Sequence, residues 1–190
     1  MKNLTSPVSA CLLFMVMQVS AQTNFTEYDL AQTEMEVMDP TKSILMNTES
    51  SQRYKELLMA LRASDFDDVL DYDGQFTVFA PSDVAFAKLS GNLKARLLDP
   101  ENRNILKSVM GYHIIAGKIS AAHILRAMCR GEGSATFTTL QGEEIKASML
   151  GTDIVLTDKL GNTAKITLAD VNQSNGVIHE VDSVFFPVRI

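Results

Sequence analysis

The sequence predicts a single α+β domain, because helical patterns fill its first part and strand patterns its second. The apolar residues of the first helical face, at positions i, i+3, i+4 and i+7, are Tyr54, Leu57, Leu58 and Leu61. From residue 134 onward the period changes to two, which is typical of half-buried strands. No internal repeat interrupts this order, so one domain with helices first and strands later is expected.

Further helices follow from capping residues and apolar spacing. Ser82 is placed as an N-cap directly after Pro81, which ends the preceding strand. Ser120 is expected to cap another helix. Residues 102–110 carry their apolar side chains on one face, and a short helical turn is expected around Phe66.

Short segments rich in β-branched or aromatic residues are the strand candidates. Turn signals such as Gln141-Gly142 and Leu160-Gly161-Asn162 separate several of them. The predicted strands are 76–79, 135–140, 144–148, 153–157, 164–168, 176–181 and 183–186.

Composition and charge narrow the classes of function. The 190 residues are 46% hydrophobic and 21% charged, which is ordinary for a globular domain. The formal net charge of −6 argues against nucleic acid and against an anionic membrane surface, since binding to either depends on lysine and arginine. No nucleic-acid partner is therefore expected.

The N-terminal residues are typical of a secretory signal peptide. Lys2 precedes an apolar run from Val8 to Val19, and the small residues Ser20 and Ala21 suit cleavage. The run is shorter than the roughly 20 apolar residues of a transmembrane helix, so no transmembrane anchor is expected. The predicted parts are a signal peptide at 1–21, an N-terminal extension at 22–39 and the domain at 40–190. The protein would then be secreted, periplasmic or located at the cell surface.

The sequence contains no recognisable catalytic or metal-binding pattern. Its three histidines, His113, His123 and His179, do not have the spacing of a metal site, and no nucleophile elbow occurs. Cleavage of the signal peptide would leave Cys129 as the sole cysteine, so no internal disulfide is expected. Cys129 is expected to be half-buried after a helix, with a reactive or intermolecular thiol as the alternative. We therefore expect no enzyme, no metal and no cofactor.

Three segments in a fixed order carry a specific similarity. The first is 76–83 (FTVFAPSD), the second is 112–118 (YHIIAGK), and the third is Asp170-Val171 followed by 174–179 (SNGVIH). Together they resemble the signatures of the fasciclin (FAS1) domain family, and in particular its small secreted bacterial members with one domain. The similarity covers about residues 40–190.

The resemblance implies a wedge of two β-sheets with helices packed around it, an extracellular setting and adhesion to protein or matrix partners. The positions that it links to partner binding are Tyr112, His113, Asp170 and Val171. The structural signature residues that it implies are Pro81, Ser82, Asn175, Gly176 and His179. Since some members carry apolar pigments, the alternative to a non-catalytic adhesion module is a carrier of a small apolar ligand such as a carotenoid.

The same residues have physical interpretations. Asn175-Gly176 can adopt positive φ and reverse the chain. His179 lies between valines on one strand face, where a hydrogen-bonded structural histidine is more common than a ligand. If Tyr112 and His113 open a strand, one ring packs inward and the other faces out. A framework role and direct partner contact both stay open for them.

Three positions near the C-terminus depart from the family pattern. Glu180 stands where an apolar residue is usual, which predicts that one face of its strand is more exposed. Phe185-Phe186 replace a common leucine pair and are expected to add bulk to a terminal strand.

Overall fold

The computed structural model describes residues 37–71 and 74–187, so the predicted signal peptide and most of the predicted extension lie outside the described residues. The helices are α1 (Ile44–Ser50), α2 (Lys55–Ala63), α3 (Phe66–Asp71), α4 (Asp83–Ala87), α5 (Gly91–Leu97), α6 (Arg103–Tyr112) and α7 (Ala121–Arg130), with a 3₁₀ turn at Pro100–Asn102. The strands are β1 (Phe76–Pro81), β2 (Ile114–Ala116), β3 (Ser134–Thr138), β4 (Glu144–Leu150), β5 (Asp153–Thr157), β6 (Thr163–Gln173) and β7 (Gly176–Val181). The α+β class is confirmed.

Serine side chains fix the first turns of several helices. The predicted caps Ser82 and Ser120 accept hydrogen bonds from the N–H groups of Ala85 and His123. Ser43 caps α1 in the same way. The sequence did not predict α1, because its seven residues are too few to show a helical period.

The strands form one seven-stranded sheet in the order β2-β1-β7-β6-β5-β4-β3. β1 and β7 run parallel, and the other neighbouring strands are antiparallel. The long β6 pairs with β5 through its first residues and with β7 further along, so it joins the two halves of the sheet. After β3, the N–H of Leu140 donates to the carbonyl of Ile114 in β2 at 2.7 Å, which brings the two ends of the sheet together. The fold class predicted for the family, β-structure with helices packed around it, is confirmed, and the two predicted sheets correspond to the halves of one seven-stranded sheet.

The prediction of a final strand at residues 183–186 is wrong. These residues are irregular because side chains, and not a neighbouring strand, accept their N–H hydrogen bonds. The N–H of Phe185 donates to Nε2 of His113 at 3.1 Å, and the N–H of Phe186 donates to Oδ2 of Asp158 at 3.3 Å. The two phenylalanines therefore add no bulk to a strand, and Phe185 is instead buried in the core.

The core consists of two apolar clusters, and alternate side chains of β1 pack into one cluster or the other. Val78 and Ala80 belong to the first cluster, and Phe79 belongs to the second. The first cluster includes Ile44, Tyr54, Leu57, Leu61, Leu70, Leu106 and Ile178, and the second includes Tyr112, Ile124, Met128, Ile145, Leu156, Val181 and Phe185. All six residues of β7 are buried, as is typical of a strand covered on both faces. None of the described helices is long and apolar enough to cross a bilayer.

Candidate binding site

Tyr112 and His113 lie at the end of a helix and not at the start of a strand. Tyr112 is the last residue of α6, and His113 follows it with a helical backbone at φ −87° and ψ −3°. Both side chains are buried, with exposures of 0% and 1%. The expectation that one ring faces outward is therefore wrong, because the alternation of a strand does not apply to a helical segment.

Tyr112 ties the end of α6 to the β4 and β5 side of the domain. Its hydroxyl donates to the carbonyl of Glu144 at 2.6 Å and accepts the N–H of Lys159 at 3.3 Å. Its ring meets the edge of Phe185 at a centroid distance of 6.3 Å. Burial raises the pKa of Tyr112 to about 12, so the hydroxyl stays protonated and keeps its role as a donor.

His113 joins α6 to the C-terminal segment. Its Nδ1 lies 2.7 Å from the carbonyl of Val109, which can only accept, so Nδ1 carries the hydrogen. Its Nε2 accepts the N–H of Phe185. Burial lowers the pKa of His113 to about 4, so the ring is neutral at pH 7.

His179 has the opposite tautomer. Its Nε2 donates to the carbonyl of Ile119 at 2.8 Å, and its Nδ1 accepts the N–H of Asp170 at 3.2 Å. The side chain is fully buried, and this burial lowers the pKa of His179. Thr77 holds the same loop from β1, because its hydroxyl donates to the carbonyl of Gly117 and accepts the N–H of Ile119.

Asp170 lies on the surface at an irregular point of β6. The pairing register of β6 with β7 shifts between Leu168 and Val171, and Asp170 there has a φ of +59°. Its Oδ1 accepts the N–H of Ala121, the first residue of α7, at 2.8 Å. Asp170 is exposed, whereas Val171 is half-buried against the first core cluster and pairs with Ile178.

The two histidines and the β6 bulge belong to one framework. The carbonyl of His113 accepts the N–H of Phe79 at 2.9 Å, and the ring of Phe79 stacks on His179 at a centroid distance of 5.8 Å. His179 in turn holds the backbone of Asp170. Of the four positions linked to partner binding, the structure thus buries Tyr112 and His113 and exposes Asp170. Their role in binding stays a prediction.

The remaining signature residues organise turns and strand ends. Pro81 is the last residue of β1 and pairs with Val181, and Ser82 caps α4. Asn175 lies in the two-residue turn between β6 and β7. Gly176 pairs with Phe76 across the parallel strands β1 and β7.

Glu180 is buried, so the predicted exposure of its strand face is wrong. Its carboxylate is satisfied by three neighbours. Oε2 lies 2.6 Å from the guanidinium of Arg53 and accepts the hydroxyl of Tyr54 at 2.8 Å, while Oε1 accepts the hydroxyl of Thr167 at 2.9 Å. Arg53 and Tyr54 lie directly before α2 and Thr167 lies in β6, and the sequence did not connect these segments with position 180.

Asp158 has a structural role that was not predicted from the sequence. Its carboxylate accepts the N–H groups of Leu160 and Asn162 within its own turn and that of Phe186 from the C-terminal segment. The glycine-containing turn was visible in the sequence, and an aspartate at its start is a known signal for such bonds. The contact with Phe186 has no local signal.

The first residue of α7, Ala121, contacts the bulge, and the outward face of the helix is exposed further along. Cys129 is within α7 and exposed, so the expected half-buried position after a helix is wrong. Leu125 and Arg126 are also exposed on this helix. Among the described residues, no group of three histidine, cysteine, aspartate or glutamate side chains could hold a metal ion.

Comparison with known proteins identifies the family. The model of the fasciclin domain matches residues 52–187. Protein sll1483 of Synechocystis sp. is 33% identical over 149 residues, which cover 78% of this chain and 76% of that protein. The immunogenic protein MPB70 of Mycobacterium bovis is 32% identical over 114 residues, which cover 60% of this chain and 51% of that protein.

A solved structure shows the same fold. It is a FAS1 domain pair from the insect cell adhesion molecule fasciclin I, which superposes with a TM-score of 0.68 at 19% identity over 76% of this chain and 51% of that one. The sequence segments, the sheet with its surrounding helices and the family match agree, and the chain belongs to the fasciclin domain family.

Proposed function

We propose that this protein is a non-catalytic, exported binding module that contacts a protein or matrix partner. Membership of the fasciclin domain family supports this proposal, and the solved relative comes from a cell adhesion molecule. The formal net charge of −6 disfavours nucleic acid and anionic lipid as partners. The N-terminal apolar run and the small residues after it support export.

The contact surface that we propose is the bulge surface, formed by the exposed side chains of Asp170 and Asn172 together with the first turn of α7. The observation that carries the proposal is the conformation of Asp170. A non-glycine residue with a φ of +59° is uncommon, and such residues are found disproportionately at binding sites. Oδ1 of the exposed carboxylate accepts the N–H of Ala121, and a carboxylate has lone pairs for further hydrogen bonds from a partner.

Tyr112 and His113 support the bulge surface from the interior. Because both side chains are buried, direct contact with a partner would require the core to open. His113 instead fixes Phe79 through its carbonyl, Phe79 packs on His179, and His179 holds the N–H of Asp170. Changes at Tyr112 or His113 would thus affect binding through the position of the bulge.

A pull-down with matched variants tests the proposed function. The immobilised protein is mixed with extract of its native host, and captured proteins are compared between wild type, Asp170→Asn and Asp153→Asn. Asn keeps the acceptor for Ala121 and tolerates positive φ, so the fold should persist while the negative charge is removed. Asp153 is a half-exposed aspartate at the start of β5 and serves as the control. A partner captured equally by all three proteins would contradict the bulge surface.

A carrier of a small apolar ligand is the second candidate. Leu125, Met149 and Leu150 are exposed apolar side chains on α7 and β4, and they favour this alternative. Absorbance spectra of protein purified from its native host separate the two functions. Visible bands that co-elute with wild type and are lost in Leu150→Ser would establish a carrier. A colourless protein with a partner that depends on Asp170 would support the adhesion module.

A further inference from the structure

The turn between β6 and β7 contains Asn175-Gly176, a dipeptide in which the asparagine amide is unusually reactive. The reason is steric, since the glycine offers no side chain to hinder attack by its backbone nitrogen. We propose that Asn175 is a deamidation site that α1 and α3 keep closed in the native protein. Deamidation would then mark chains in which these helices have left the sheet.

The fold requires the glycine that creates this reactivity. A Cβ atom at Gly176 would lie 2.0 Å from the carbonyl oxygen of Phe76 and 3.0 Å from Cδ1 of Ile44. The backbone of β7 therefore approaches β1 too closely for any other residue. Gly176 therefore cannot be replaced without disturbing the parallel pairing of β1 and β7.

The structure holds both ends of the Asn175 amide. Its Oδ1 accepts the N–H of Ile44, the first residue of α1, at 2.8 Å. Its Nδ2 donates to the carbonyl of Leu70 in α3 at 2.6 Å. The turn backbone is held as well, because Ser174 N–H donates to the carbonyl of Lys42 and the carbonyl of Asn175 accepts the N–H of Phe76. We call these contacts the amide clamp.

The reaction needs a movement that the amide clamp opposes. The backbone nitrogen of Gly176 loses its proton to hydroxide and bonds to the side-chain carbonyl carbon of Asn175. The side-chain amide nitrogen then takes a proton from water and leaves as ammonia, which regenerates the hydroxide. Water then opens the resulting succinimide at either carbonyl to give aspartate or isoaspartate. In the step that forms the succinimide, the planar side-chain amide becomes tetrahedral and loses its nitrogen, so the bond from Nδ2 to Leu70 must break and the bond from Ile44 to Oδ1 is disturbed.

The products cannot restore the amide clamp. The side chain of an aspartate at position 175 has no N–H to donate, so a carboxylate oxygen would face the carbonyl of Leu70. An isoaspartate adds a backbone carbon to a two-residue turn and shifts the register of β7. Either product disfavours renewed packing of α1 and α3 against the β6–β7 turn, so a deamidated chain stays distinguishable from a native one.

The first test compares rates at mildly alkaline pH. Mass spectrometry of proteolytic fragments follows Asn175 in the full chain and in a synthetic peptide of residues 168–182. We expect the full chain to react slower than the peptide by about tenfold or more, which corresponds to an opening free energy of at least about 1.4 kcal/mol. Equal rates would overturn the proposal.

The second test asks which part of the protein must open. Ser43→Ala removes the N-cap of α1, next to Ile44, whereas Ser90→Ala removes the chemically equivalent N-cap of the distant helix α5. Loss of a cap shifts a local opening equilibrium by about fivefold. We expect Ser43→Ala to speed the reaction at Asn175 by about this factor and Ser90→Ala to leave it unchanged. If Asn175 deamidates at the same rate in both variants, whether that rate is raised or unaltered, α1 does not control the reaction.

Discussion

At the scale of single residues, the two buried histidines act as neutral connectors. His113 donates through Nδ1 and accepts through Nε2, whereas His179 donates through Nε2 and accepts through Nδ1. Each ring joins two chain segments that are distant in sequence. A charged imidazole would carry two donors, and one of them would face a backbone N–H. The neutral form is therefore part of the folded structure.

We predict that His113→Gln destabilises the protein by roughly 1–3 kcal/mol, because one of two buried backbone groups loses its partner. The control is His123→Gln, since His123 is exposed in the first turn of α7. The control should change stability by less than about 0.5 kcal/mol. Thermal melts of both variants at pH 7.5 provide the measurement, and an unaltered melt for His113→Gln would argue against its framework role.

Gly176 allows a second prediction at this scale. Gly176→Ala places a Cβ 2.0 Å from the carbonyl oxygen of Phe76, in a backbone with a φ of +155°. We expect a loss of stability of about 2–4 kcal/mol, as for other strained core positions. Gly91→Ala is the matched control, because a Cβ at this helical position meets no atom within 4 Å and Ala favours the helix. Denaturant unfolding measures the stability of the two variants. Equal midpoints would contradict the close approach of β1 and β7.

At the scale of elements, the β6 bulge and α7 depend on each other. Ser120 caps α7 through the N–H of His123, and Asp170 binds the N–H of Ala121. Two of the free N–H groups at the start of the helix are thus satisfied from different parts of the chain. The left-handed backbone of Asp170 directs its carboxylate to this point while its N–H binds His179.

This dependence predicts different effects for two substitutions of Asp170. Asp170→Asn keeps the acceptor, and asparagine tolerates positive φ, so the free energy of unfolding should fall by less than about 1 kcal/mol. Asp170→Ala removes the acceptor and disfavours the left-handed backbone, so it should cost about 1–3 kcal/mol. Melting temperatures of both variants give the comparison. If Ala were tolerated as well as Asn, the carboxylate would have no structural role.

At the scale of the whole molecule, the buried histidines make stability depend on pH. The pKa of His113 is lowered from 6.5 to about 4, and that of His179 is lowered as well. Between these pH values the unfolded chain binds a proton at position 113 that the folded chain does not. Stability is therefore fully present above pH 6.5 and decreases as the pH falls toward 4.

We predict that acidification from pH 7 to pH 4 removes on the order of 3 kcal/mol through His113. Unfolding free energies measured at several pH values in this range test the prediction. The pH dependence should be weaker in His113→Gln, while His123→Gln should retain that of wild type. A wild-type curve that is flat between pH 6.5 and 4 would show that neither buried ring excludes protons.

Local patterns predicted the parts of the fold whose cause is local. The serine caps at positions 82 and 120 and the alternating strands after residue 134 follow from neighbouring residues, and the structure contains them. Segment 183–186 has an equally apolar pattern but no strand beside it. Its N–H groups bond to the side chains of His113 and Asp158, and no local pattern could reveal those partners.

The sequence by itself determined the family, the α+β class and the order of the main elements, because these depend on periodicity and on short segments that keep their spacing. Only the tertiary structure decided which signature residues are accessible. It buried Tyr112, His113 and Glu180 and exposed Asp170. Burial and hydrogen-bond partners depend on contacts between residues more than sixty positions apart, such as His113 with Phe185 and Tyr54 with Glu180. Such contacts form only when the chain has folded, so they leave no trace in the order of neighbouring residues.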